Sequence, residues 1–119
     1  MKQPLITSFC FLAMFSCQPK AEKESIANGK EVYITNCISC HQPDGQGIEG
    51  IYPSLLKSDD ITRSQTERTV TLIQFGSGFE GGMKPIMLTD KEITDVINYI
   101  QNTWQNKAPF LTKTELKQF

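Results

Sequence analysis

Histidine is nearly missing from this 119-residue sequence: His41 is the only one. Cysteine is scarce beyond the N-terminus, because Cys10 and Cys17 sit in the opening segment and leave only Cys37 and Cys40 downstream. A structural zinc site would need further Cys or His ligands, and the body of the chain has none to offer. Basic excess is missing too. Twelve Lys and Arg face thirteen Asp and Glu, for a net charge of −1, so there is no electrostatic footprint for nucleic acid. No internal repeat, low-complexity tract or alternating strand–helix pattern is present. No apolar run is long enough to cross a bilayer comfortably. The length suggests one domain with a modest core.

The longest apolar run, Leu5 to Phe15, is broken only by Thr7 and Ser8 and follows Lys2. Its length is that of a signal-peptide core. It ends Met14-Phe15-Ser16-Cys17 before polar Gln18-Pro19-Lys20, which resembles a bacterial lipoprotein signal. Residues 1–16 are therefore expected to be a leader and Cys17 the lipidated first residue of the exported protein. The alternative is an ordinary secretory signal cut nearby. Residues 17–25 then form the anchor and a charged, core-free tether, QPKAEKES.

What the chain does have is Cys37-Ile38-Ser39-Cys40-His41. Two thiols three residues apart lie on one side of a helical turn, with an imidazole directly after. This C-x-x-C-H string is the attachment signature of a c-type haem: two thioether bonds on one porphyrin edge leave the neighbouring imidazole aimed at the iron. A redox dithiol would use the same C-x-x-C, but in a βαβ setting. Two buried free cysteines beside a chance histidine is the plainest rival.

Around this string, helical spacing runs from Ser25 through Ile26, Gly29, Tyr33 and Cys37. Gly29 costs about 1 kcal/mol against alanine inside a helix, a cost explained by close approach of another helix. Gln42 to Gly50 holds three glycines and a proline and reads as a loop. Pro53 stands twelve positions after His41; its amide carbonyl either accepts the second imidazole N–H or belongs to a proline that merely turns the chain. Ser58-Asp59-Asp60 reads as a turn. A second helix is expected over Ser64–Phe75, capped by Ser64 and Glu67 and stopped by Gly76. Gly76 to Met87 is irregular and carries Met83 and Met87. Thr89 and Glu92 cap a last helix whose stripe is Ile93, Val96, Ile97, Ile100 and Trp104, with Asp95, Asn98, Gln101 and Asn102 on the other face. Residues 107–119 read as a tail, with Thr112 and Glu115 hinting at one short turn.

Taken together, Gly29-Lys30-Glu31-Val32-Tyr33 before CISCH, Pro53-Ser54-Leu55, Gly81-Gly82-Met83-Lys84-Pro85 and the LTDKEITDVINYI stretch resemble a small class I monohaem cytochrome c over roughly residues 26–106. The resemblance implies an all-α fold of three to five helices around one covalently bound haem, held edge-on in a crevice. It brings Gly29 and Tyr33 against Ile97 and Tyr99, where the first and last helices cross. It gives Cys37 and Cys40 the thioethers, His41 the proximal iron position, the Pro53 carbonyl the task of orienting His41, and a loop methionine the distal position. Met83, after a flexible Gly-Gly, is expected to be that ligand. Met87, two residues before the Thr89 cap, is the alternative and is otherwise expected to pack against Ile93 and Ile97. Lys84 departs from relatives that place proline directly after the ligand.

With both axial positions filled, iron can only change oxidation state. The implied function is a one-electron carrier, not an enzyme, that docks transiently on a donor and an acceptor such as an oxidase, reductase or dehydrogenase. It would be exported to the periplasm and held at a membrane by lipid on Cys17. A haem sensor or peroxidase-like protein whose methionine is displaced is the rival, and it lacks a second histidine or other distal base.

Overall fold

The computed structural model describes residues 19–57 and 61–119. The leader, the lipidation candidate Cys17 and the expected turn at 58–60 lie outside them. Five helices follow one another, with no β-strand among the described residues: α1 (Lys20–Asn36), α2 (Ile38–His41), α3 (Arg63–Phe75), α4 (Asp90–Gln101) and α5 (Lys113–Leu116). The all-α expectation holds. No described helix is long and apolar enough to cross a membrane.

α1 starts five residues earlier than its apolar spacing implies, directly after Pro19. Residues 20–25, expected to be tether, are wound into its first turns. Good helix formers (Lys, Ala, Glu) fill that stretch, and proline preceding the first turn loses no helical hydrogen bond. Ser25 also does structural work there, donating to Asp95 Oδ1 at 2.6 Å.

α1 packs on α4, and the contact explains Gly29. A Cβ at that position would collide with the Asp95 carbonyl and stand 2.8 Å from Tyr99 Cβ, so only glycine lets the two backbones approach. Around this crossing, Tyr33, Val96 and Ile97 are at most 1% exposed, and Val70 and Ile73 of α3 join them. Each such side chain contributes about 1.5–3 kcal/mol of transfer free energy. Tyr33, Tyr99 and Trp104 form an aromatic triad with ring centroids 5.2–5.5 Å apart. Trp104 reaches it from beyond the helix, not as the last residue of its stripe: α4 ends at Gln101, and Trp104 has φ 52°.

Three expectations about α3, α4 and the C-terminus need correction. The α3 capping box is formed by Thr62 and Gln65, two residues before the Ser64–Glu67 pair that fits the same pattern. The polar face of α4 is buried: Asp95, Asn98 and Gln101 are at most 6% exposed. Each has a partner distant in sequence. Gln101 accepts from Thr66 at 3.1 Å, Asp95 meets Ser25 and Lys91, and Asn98 grips Leu111 from both sides. Its Nδ2 donates to the Leu111 carbonyl at 2.9 Å and its Oδ1 accepts the Leu111 N–H at 2.8 Å. Residues 107–119 are accordingly no tail. Leu111 and Leu116 are buried in the core, and a Thr112–Glu115 capping box opens α5. The folded unit extends beyond 26–106 on both sides.

Candidate functional site

Cys37 terminates α1, its N–H donating to the Tyr33 carbonyl at 2.9 Å. α2 starts at once, and the His41 N–H returns to the Cys37 carbonyl at 2.9 Å. Cys37 and Cys40 are both free thiols. Burial first, and then neighbouring Cys40, push the Cys37 thiol up to about 11. It is therefore protonated at neutral pH, the opposite of the low-pKa thiolate that begins disulfide exchange. Among the described residues no group of three or more His, Cys, Asp and Glu is arranged to hold a metal ion. The dithiol and zinc readings gain nothing from the fold.

The loop after His41 is built to bring Pro53 back to it. Gly47 N–H donates to the His41 carbonyl at 2.9 Å, and Ile48 and Tyr52 exchange backbone hydrogen bonds of 2.9 and 2.8 Å in a tight hairpin. Gly47 has φ 68°, and a Cβ there would collide with the Tyr52 carbonyl and lie 2.6 Å from that of Pro53. Glycine at this position is needed for the return, not only for backbone clearance. Pro53 then places its carbonyl oxygen 3.0 Å from His41 Nδ1. A proton on Nδ1 donates to that oxygen, which fixes the ring and leaves the Nε2 lone pair as the available donor.

One residue at the site lies in a conformation the sequence did not signal. Gln42 has φ 66° and ψ 163°, a region nearly reserved for glycine that costs about 1–3 kcal/mol. Tyr33 Oη donates to its carbonyl at 2.7 Å. Burial holds the Tyr33 phenol well above its ordinary pKa, so it stays a donor at any ordinary pH.

The two methionines of the loop between α3 and α4 differ sharply. Met83 is partly buried against the core cluster, and its carbonyl accepts from Ser77 N–H at 2.9 Å and Ser77 Oγ at 3.4 Å. Just beyond, Ile86 N–H donates to the Ile73 carbonyl at 2.9 Å. These three bonds tether the loop to the last turn of α3 and the residues just after it. Met87, expected to pack on Ile93 and Ile97, is instead 97% exposed; Leu88 and Ile86 take the places against the core.

Apolar surface flanks both loops. Ile51 is 69% exposed in the loop after His41, and Phe75 and Phe79 are 70% and 66% exposed beside Met83. A cleft of about 520 Å³ lined by Gln46, Ile51, Tyr52 and Pro53 opens on the first side, and one of about 310 Å³ lined by Phe75, Phe79 and Met83 on the second.

The cytochrome c family profile matches residues 26–104. Among curated proteins, the chain is 28% identical over 96 residues to the cytochrome c subunit of the alcohol dehydrogenase (quinone) of Gluconobacter oxydans (strain 621H), covering 68% of this chain and 19% of that subunit. It is 32% identical over 91 residues to cytochrome c-552 of Thermus thermophilus, covering 66% of this chain and 69% of the relative. Against cytochrome c-555 of Prosthecochloris aestuarii it is 33% identical over 93 residues, covering 68% and 90%. The chain thus spans about a fifth of the length of the dehydrogenase subunit, and most of the small cytochromes.

Proposed function

The chain belongs to the cytochrome c family, and on that premise we propose that it is a one-electron carrier with a single covalent haem, ligated by His41 and Met83. Membership brings haem c and a role in electron transfer rather than catalysis. The residues fit that group. Cys37 and Cys40 stand one helical turn apart as free thiols suited to two thioether bonds. The observation that carries the reading is the 3.0 Å contact of His41 Nδ1 with the Pro53 carbonyl. An imidazole held at one nitrogen and open at the other is a prepared ligand, its ring orientation fixed by the hydrogen bond.

Met83 is favoured over Met87 because its carbonyl is held by Ser77 and it lies against the core, while Met87 faces solvent. Large exposed apolar side chains beside both loops suit a flat apolar cofactor, since patches of this kind mark binding surfaces. When bound, the haem supplies a reversible ferrous–ferric couple whose potential His/Met ligation raises. The chain's own part is to orient His41 through Pro53 and to hold the Met83 loop on α3.

Relatives include a subunit named for an alcohol dehydrogenase and one named for a cbb3-type oxidase. By analogy, we place this protein's donor and acceptor among such membrane redox complexes. Export and a lipid anchor on Cys17 complete the proposal, resting on the leader's sequence alone. A spectroelectrochemical titration tests the central reading: it should follow a one-electron Nernst curve, with the ferrous protein not binding carbon monoxide. Ready carbon monoxide binding would favour the sensor or peroxidase-like alternative.

A further inference from the structure

Tyr33 touches both ends of the Cys37–His41 turn. Its backbone carbonyl accepts the Cys37 N–H at 2.9 Å, and its hydroxyl donates to the carbonyl of Gln42, the residue after His41, at 2.7 Å. The ring is 1% exposed and wedged between Tyr99 and Trp104, so the hydroxyl has little freedom to leave. Gln42 is the residue in the glycine-like conformation, φ 66° and ψ 163°. Such a conformation persists only where the surroundings over-determine it. Here the Tyr33 hydroxyl is joined by Gly45 N–H, donating to the same carbonyl at 3.2 Å, and by the Gln42 N–H, donating to Ile38 at 2.9 Å.

Relaxation of Gln42 to negative φ would redirect the chain just where it leaves His41, and with it the loop that returns Pro53 to the imidazole. We propose that Tyr33 is a positioning residue: its hydroxyl latches the strained Gln42 and thereby holds His41 in the orientation in which Nδ1 meets the Pro53 carbonyl. This inference rests on the haem reading above, with His41 as the ligand. An aromatic ring at position 33 would serve packing alone; the hydroxyl is the part packing does not need.

The test uses the exported holoprotein, whose wild-type haem content and low-spin ferric spectrum first establish the haem reading independently. Hydrogen exchange at His41 Nδ1 and the ferric EPR g values are then compared in four variants. Tyr33→Phe keeps the ring and should speed exchange by roughly tenfold, the upper end for loss of one hydrogen bond, and shift the g values. Tyr99→Phe, in the same triad but holding no part of the turn, should leave both at wild type. Adding Gln42→Gly to Tyr33→Phe should restore both, because glycine occupies that backbone region without strain. Gln42→Gly alone should leave the thermal midpoint at or above wild type. The proposal is overturned if Tyr33→Phe matches wild type, if Tyr99→Phe reproduces its effect, if glycine at 42 fails to restore it, or if Gln42→Gly alone lowers the midpoint.

Discussion

Met83 and Met87 lie four residues apart in one loop and fare in opposite ways. Met83 lies against the core with its carbonyl held by Ser77, whereas Met87 projects into solvent. Met83→Ala should therefore abolish the sulfur-to-iron absorption band, lower the potential and admit exogenous ligands. Met87→Ala should keep the band and change stability by no more than about 0.5 kcal/mol, as for an unengaged surface residue. Absorption spectra of the two variants check this, and loss of the band only in Met87→Ala would reassign the ligand. Spacing alone left the Pro53 carbonyl evenly balanced against a proline that merely turns the chain, and only the family resemblance paired it with His41. The hairpin that brings the two together carries no signal in a glycine-rich loop. The sequence misplaced Met87 because an irregular loop has no period from which burial can be read. The strain at Gln42 was equally hidden, since glutamine carries no signal for positive φ.

Three of the helices begin with a capping box, and their chemistry is not the same. In α4 and α5 the reciprocal acceptor is a carboxylate. Hydrogen bonds from the Thr89 backbone N–H and hydroxyl hold Glu92 below its ordinary 4.5. Those from the Thr112 hydroxyl and backbone do the same for Glu115. In α3 it is the amide of Gln65, which does not titrate. A carboxyl whose folded-state pKa is depressed stabilises fully above its unfolded value, and that contribution is lost as pH falls through the folded value. Acidification to below the ordinary carboxylate range should accordingly speed amide exchange in the first turns of α4 and α5 while that of α3 holds. Simultaneous fraying of all three would contradict the account. The α4 box was legible because its pattern is local and unrivalled. At α3 two overlapping pairs fit the pattern, Thr62–Gln65 and Ser64–Glu67, and local spacing does not choose between them.

At the scale of the whole molecule, the buried polar side chains of α4 join the ends of the fold. Asn98 donates to both Ser25 of α1 and the Leu111 carbonyl, tying the N-terminal helix and the C-terminal segment to α4. Their burial was not readable, because partners 13 and 73 residues away leave no trace in helical periodicity. The all-α class and the cytochrome c family were readable, because ordered motifs fix them together. Beyond the described residues, Cys17→Ser should release the protein from membranes into a soluble exported fraction with haem incorporation intact; a wild type already soluble and beginning elsewhere would refute the lipid anchor. The most direct test of the central claim is mass spectrometry of the mature protein under denaturing conditions. The account predicts a chain still carrying the mass of one haem, lost on joint Cys37→Ala and Cys40→Ala substitution. A natively helical wild-type protein at the mass of the polypeptide alone would contradict it.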